Sequence, residues 1–149
     1  MEKLSFDKKF KDLKQTINQT RDVGKVAMNF SLVNTNTSDK NELVNSFVNS
    51  LGMKPSRNWE ILDFYKAQKG LVNVLNRDLA YNEEVMPLDK ASEIANKFLC
   101  LFDRKNSNYF SNWRLSGHSW DPLTEATFDT GIIVLDNNRI GILWFEDED

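Results

Sequence analysis

The segment from Thr127 to Phe145 constrains the fold more than any other part of the chain. It reads TFDTGIIVLDNNRIGILWF, in which two apolar runs flank Asn137 and Asn138. Asparagine tolerates the positive φ of a two-residue hairpin turn, so these runs are predicted to be antiparallel strands. The predicted strands are Thr127–Leu135 and Ile140–Phe145, with Leu135 facing Ile140, Ile133 facing Ile142 and Gly131 facing Trp144. Both faces are apolar, which predicts cover on both sides.

Helical spacing dominates the chain upstream of this hairpin. Apolar residues recur every three or four positions in stretches that predict helices at 5–20, 38–51, from Ser56 onward, and 87–104. Residues 23–33 fit either period, and the helical neighbours favour a helix. Tyr109, Trp113 and Leu115 share one parity, which suits a short strand. The expected fold is α+β: a helical N-terminal two-thirds packed on a small C-terminal antiparallel sheet or hairpin, in a single domain of residues 1–149.

Composition excludes several classes of protein. Apolar residues make up 40% of the 149 positions and charged residues 28%, values typical of a folded domain. No signal-like segment follows Met1 and no apolar run approaches a membrane span, so a cytoplasmic protein without a membrane partner is expected. The one cysteine, Cys100, lies between Leu99 and Leu101, which predicts a buried, unreactive thiol in a reducing compartment.

Catalytic and cofactor motifs are scarce. With one histidine and one cysteine, the chain cannot build a multi-histidine metal site or a structural zinc cluster. The glycines are isolated, so no phosphate-binding loop can be written, and neither a metal nor a cofactor is expected. A magnesium site from Asp121, Glu125 and Asp129 would need a helix, which Pro122 opposes. The alternative that remains open is a small enzyme using His118 with Asp121 or Glu125 as an acid–base pair.

Charge is distributed unevenly and suggests binding rather than catalysis. Residues 1–106 carry a net charge of +3, whereas residues 107–149 carry −6. An acidic surface repels nucleic acid and attracts basic proteins, and tryptophan is a frequent anchor at protein interfaces. The chain is therefore expected to be an immunity protein or antitoxin that neutralises a basic toxin domain such as a nuclease. The predicted partner-binding residues are Trp120, Asp121, Asp129, Glu146, Asp147 and Glu148.

The predicted register sharpens this hypothesis. It places Asp129 opposite Glu146 and Phe128 opposite Asp147, and like charges facing each other destabilise a sheet when they are unpaired. Either a cationic partner neutralises these carboxylates, or the strand ends splay and the acidic terminus is only solvated. A nucleic-acid mimic is a third possibility, although mimics need far more net charge than −3.

Overall fold

Five strands form one antiparallel sheet in the computed structural model, which describes residues 2–21, 23–35, 39–113 and 122–148. The strands are β1 (Lys25–Leu32), β2 (Glu60–Leu62), β3 (Asn108–Ser111), β4 (Phe128–Leu135) and β5 (Arg139–Asp147). Their spatial order is β1-β5-β4-β3-β2. The first strand of the chain therefore pairs with the last, and β1 and β2 form the two edges.

Four α-helices and a short 3₁₀ helix surround this sheet within the described residues. They are α1 (Glu2–Thr20), α2 (Lys40–Ser50), α3 (Phe64–Asn76), α4 (Leu88–Leu99) and the 3₁₀ helix Arg104–Asn106. Aspartates cap three of them: the side chains of Asp39, Asp63 and Asp103 accept from the amides of Asn41, Lys66 and Lys105 respectively. A carboxylate at this position satisfies an amide that the first turn leaves unpaired.

The helices form layers on both faces of the sheet. α1, α3 and α4 pack on the face that carries Ile132, Val134, Leu143 and Phe145. On the opposite face, α2 covers the alternating residues Ile133, Leu135, Ile140, Ile142 and Trp144. Strands β4 and β5 are thus buried on both faces, as predicted from the apolar residues on both faces of the hairpin.

The predicted hairpin and its register are confirmed. Leu135 pairs with Ile140, Ile133 with Ile142 and Gly131 with Trp144. The turn geometry differs from the prediction, because neither Asn137 nor Asn138 has a positive φ. Instead, the Asp136 side chain accepts hydrogen bonds from the Asn138 and Arg139 amides at 3.0 and 2.7 Å. A side chain that bonds its own turn fixes the loop without left-handed residues.

The predicted division into a helical N-terminal part and a C-terminal sheet is wrong. The protein is mixed α+β, but its strands are spread through the chain, since β1 and β2 both lie within the first 62 residues. Residues 23–33, predicted as a helix, contain β1. As an edge strand, β1 buries only Met28 fully, which explains why its alternating pattern was weak.

The predicted start of a helix at Ser56 is also wrong, because Asn45 of α2 holds residues 56–59 out of a helix. The Asn45 side chain bonds the backbone amide and carbonyl of Ser56 at 3.0 and 2.9 Å and accepts from Trp59 Nε1 at 2.8 Å. β2 follows at once, and α3 starts only at Phe64 and continues through Gly70. Long-range side-chain bonds therefore override the local helical spacing.

Cys100 is exposed, so its predicted burial is wrong. α4 ends at Leu99 and buries Ile94, Ala95, Phe98 and Leu99, and Cys100 falls outside that apolar face. Residues adjacent in sequence need not share a face of a helix, so the apolar neighbours of Cys100 did not imply its burial. None of the helices in the described ranges is long and apolar enough to cross a bilayer.

Candidate functional site

Carboxyl side chains concentrate at one end of the sheet, termed the Asp129 end. β1, β2 and β4 begin there, and β3 and β5 finish there. Three of its carboxyl groups, those of Glu60, Asp129 and Asp147, are buried. A buried charged group must be compensated by hydrogen bonds or by an opposite charge, so the partners of each carboxyl group define what this end of the sheet can do.

Asp129 is compensated by donors rather than by a cation. It is fully buried and accepts from the amides of Leu123 (3.1 Å) and Thr124 (3.3 Å) and from the Thr124 hydroxyl (3.0 Å). Trp144 Nε1 and Asn112 Nδ2 add bonds of 3.1 and 3.2 Å. These donors use the acceptor sites of both carboxyl oxygens. Asp129 therefore fixes residues 123–124 against the sheet.

A buried polar network continues from Asp129 to β3. Asn112 Nδ2 also donates to the Asp129 carbonyl at 3.0 Å, and Asn112 Oδ1 accepts from the Thr130 hydroxyl at 2.7 Å. The Ser111 hydroxyl donates to the Gly131 carbonyl at 2.6 Å. Buried polar groups that satisfy one another rigidify the structure around them. The network ties the end of β3 to the start of β4.

Asp147 is compensated by an ion pair with Arg21, which directly follows α1. Arg21 Nη2 and Nη1 lie 2.9 and 3.3 Å from the two carboxyl oxygens, and both side chains are buried. The Leu79 amide donates to the same carboxyl group at 2.7 Å. Arg21 also donates to the carbonyls of Val23 and Val74. This pair joins the end of β5 to α1 and to the segment after α3.

Glu60, the third buried carboxyl group, holds the backbone at residue 113. It accepts from the Trp113 amide at 3.0 Å, while Trp113 Nε1 donates to the Asn58 carbonyl at 2.8 Å. Trp113 has a φ of 74°, an unusual backbone conformation for an aromatic residue. Residue 113 is thus held by Glu60, and residues 123–124 are held by Asp129. Two buried carboxyl groups therefore fix the described residues on either side of positions 114–121.

The predicted site residues divide into three groups. Asp129 and Asp147 are internal supports and present no surface to a partner. Glu148 is exposed and accepts from the Thr127 amide and hydroxyl, and Glu146 is half-buried. Trp120 and Asp121 lie outside the described residues. The structure therefore brings the carboxylates to one end of the sheet but turns two of them inward.

The enzyme alternative gains no geometric support. His118 and Asp121 lie outside the described residues, and Glu125 forms a surface ion pair with Lys54 at 3.2 Å, its side chain 92% exposed. Among residues 2–21, 23–35, 39–113 and 122–148, no group of three or more His, Cys, Asp or Glu side chains could hold a metal ion.

Sequence reasoning missed Arg21, Glu60 and Asn112. Each is a polar residue whose partner is 17 to 126 positions away. Arg21 directly follows a clear helical stripe, and no residue near it in the sequence marks it as buried. Comparison with protein-family models, curated protein sequences and solved structures gave no significant match.

Proposed function

We propose that the chain is a small cytoplasmic inhibitory protein, of the immunity or antitoxin kind, that binds a basic toxin domain such as a nuclease. The surface would be the Asp129 end of the sheet. The observation that carries this proposal is that Glu60 holds the amide of residue 113 and Asp129 holds the amides of residues 123 and 124, on either side of positions 114–121 in the sequence. Binding residues are commonly placed on loops that a rigid scaffold positions. Trp120 and Asp121 lie within positions 114–121.

Surface charge supports the same location. Glu125, Glu146 and Glu148 remain accessible at the Asp129 end, and Asp121 adds a fourth carboxylate in the sequence. Lys54 neutralises Glu125 only weakly, because an exposed ion pair contributes little in water. A nuclease must hold phosphates and therefore presents cations, which such carboxylates would attract. The roles differ within the set: Asp129 and Asp147 support the surface, while Glu125, Glu146 and Glu148 contact the partner.

The test is a charge reversal at the exposed Glu125 and Glu148 and the half-buried Glu146. Glu125, Glu146 and Glu148 are changed together to Lys, and association with a panel of purified basic nuclease domains is measured at low and high salt. Binding should weaken by well over tenfold, and association should slow as salt rises, because ions screen steering charges. Reversing Asp129 or Asp147 would be uninformative, because both are buried and their loss would unfold the site.

A matched control separates a specific surface from net charge. Glu42, Glu83 and Asp89 are exposed carboxylates on α2, on the turn after α3 and on α4, and their reversal to Lys changes the net charge equally. The control triple should change affinity by less than about twofold. Equal losses of affinity in the two triple variants would contradict the proposal, as would an affinity that does not change with salt concentration. Failure of every basic domain in the panel to bind would also contradict it.

A further inference from the structure

A groove runs between α1 and α4 on the side of the molecule that the proposed function does not use. Its larger part has a volume of about 420 Å³ and lies between Lys9, Leu13, Lys97 and Leu101. A second hollow of about 130 Å³, lined by Phe6 and Arg139, continues from it. Lys9, Cys100 and Leu101 line both. The combined volume falls in the range of small-molecule sites.

The walls of the groove carry cations. Lys9 forms no salt bridge within the described residues, and Lys97 is held only by an exposed bridge of 3.3 Å to Glu93. Arg139 stacks on the Phe6 ring at 4.1 Å. Against these three cations stands a single lining carboxylate, Asp12. The groove is therefore suited to an anion.

Arg139 adds an observation that points to a ligand. Its Nε is buried and has no hydrogen-bond acceptor within the described residues. A buried donor without an acceptor is unfavourable, and a carboxylate oxygen is the acceptor that guanidinium groups bind best. The stacking on Phe6 fixes the plane of the guanidinium, so its donor edge is already oriented. An anionic head group in the smaller hollow would lie against Arg139 and Lys9, which both line it.

The floor of the groove is apolar. Leu13 and Leu101 lie between the Arg139 end and the far end at Thr16. We propose that this groove binds a free medium-chain fatty acid, with its carboxylate between Arg139 and Lys9 and its alkyl chain over Leu13 and Leu101. A short inorganic anion would leave the apolar floor exposed to water, whereas an uncharged chain would leave Arg139 and Lys9 without a counter-charge.

Cys100 provides a native reporter for the test. It is the one cysteine of the chain, it is exposed, and it lines both parts of the groove. The rate of its reaction with N-ethylmaleimide is followed by intact mass as decanoate is added below its micelle concentration. Decanoate should slow labelling at least fivefold at saturation. Octanoate, which lacks two buried methylenes, should bind about tenfold more weakly.

Variants test the head-group contacts. Lys9→Gln and Arg139→Gln should each weaken decanoate binding by about tenfold, because each removes a charged contact to the carboxylate. Lys9 is exposed, so the Lys9→Gln variant should fold normally. It keeps the test valid even if Arg139→Gln disturbs α1 by removing the stacking on Phe6. Lys69→Gln, an exposed change on α3, is the matched control and should leave binding unchanged.

Several outcomes would overturn the proposal. Recognition of a carboxylate would be excluded if decanoate left the labelling rate of Cys100 unchanged. It would also be excluded if decanol or decyltrimethylammonium slowed labelling as much as decanoate does. Equal binding by the Lys9→Gln and Lys69→Gln variants would do the same. Protection by phosphatidylglycerol vesicles without protection by decanoate would indicate a membrane surface instead and would also overturn it.

Discussion

Arg21 and Asp147 form a buried ion pair between residues 126 positions apart. Both guanidinium Nη atoms reach the carboxyl oxygens, and the Leu79 amide donates to the same group. The Arg21 guanidinium also lies 4.9 Å from the centre of the Phe145 ring. One side-chain pair therefore connects the first helix, the last strand and the segment after α3.

Replacing Asp147 with Asn should lower the free energy of unfolding by about 3–5 kcal/mol, because it leaves a buried cation without its counter-charge. Urea denaturation followed by circular dichroism measures this change. Lys54→Gln is the control, since it breaks an exposed ion pair and should cost at most about 1 kcal/mol. An Asp147→Asn protein as stable as the control would show that the pair contributes no net stability.

Two glycines with similar backbone conformations allow a matched comparison. Gly24 and Gly52 have φ values of 68° and 79°, so an alanine at either position costs about 1–2 kcal/mol. A Cβ at Gly24 would also clash with Asp147 Oδ1 and the Glu146 carbonyl, whereas a Cβ at Gly52 meets nothing. Gly24→Ala should be the less stable variant by a further ~1–3 kcal/mol in denaturant titrations. Equal free energies of unfolding for the two variants would mean that Asp147 and Glu146 can shift away from the added Cβ without loss of stability.

Two buried tryptophans differ in the acceptor of their indole N–H. Trp144 Nε1 donates to the Asp129 carboxyl group, and Trp59 Nε1 donates to the Asn45 amide oxygen. Phenylalanine keeps an aromatic ring but removes the donor. Trp144→Phe should lose about 1.5–3 kcal/mol from this hydrogen bond and Trp59→Phe about 0.5–1.5 kcal/mol. Thermal and urea unfolding of both variants would check the order, and a reversed order would argue against a charged acceptor at Asp129.

Burial raises the pKa of the Tyr109 phenol above its ordinary value of 10.0. The folded protein then keeps the proton more firmly than the unfolded chain, so this stability is fully present below about pH 10 and is lost as pH rises through the folded pKa. Tyr109→Phe should remove that part of the alkaline destabilisation. Ultraviolet titration of tyrosinate should lose its latest step in this variant, and loss of an earlier step would contradict the assignment.

The hairpin could be predicted because its signals are local. Alternating apolar residues and one polar turn set the register, and the register holds even though Asp136, rather than positive φ at Asn137, shapes the turn. β1 could not be assigned from its own sequence, since residues 23–33 fit a helical period as well as a strand period. Its strand identity comes from pairing with β5.

The candidate site was predictable only in outline. Of the carboxylates in the last third, Asp129, Glu146 and Asp147 lie at one end of the sheet, whereas Asp136 lies in the turn at the other end. Which of them face inward depends on Arg21 and Asn112, which lie far from Asp147 and Asp129 in sequence. From sequence alone, an aspartate at a strand end is interpreted as a surface residue unless the partner that compensates its burial is known.

The pairing of β1 with β5 has a consequence for how the chain acquires its structure during synthesis. Lys25 pairs with Glu146, so β1 leaves the ribosome long before its partner strand β5 is made. Contacts of such sequence separation form late, because chain entropy opposes closing a long loop before any contact rewards it. During that interval β1 presents unpaired backbone groups on both edges, a state prone to wrong strand pairing. The nascent protein should therefore depend on chaperones until β5 emerges and closes the sheet.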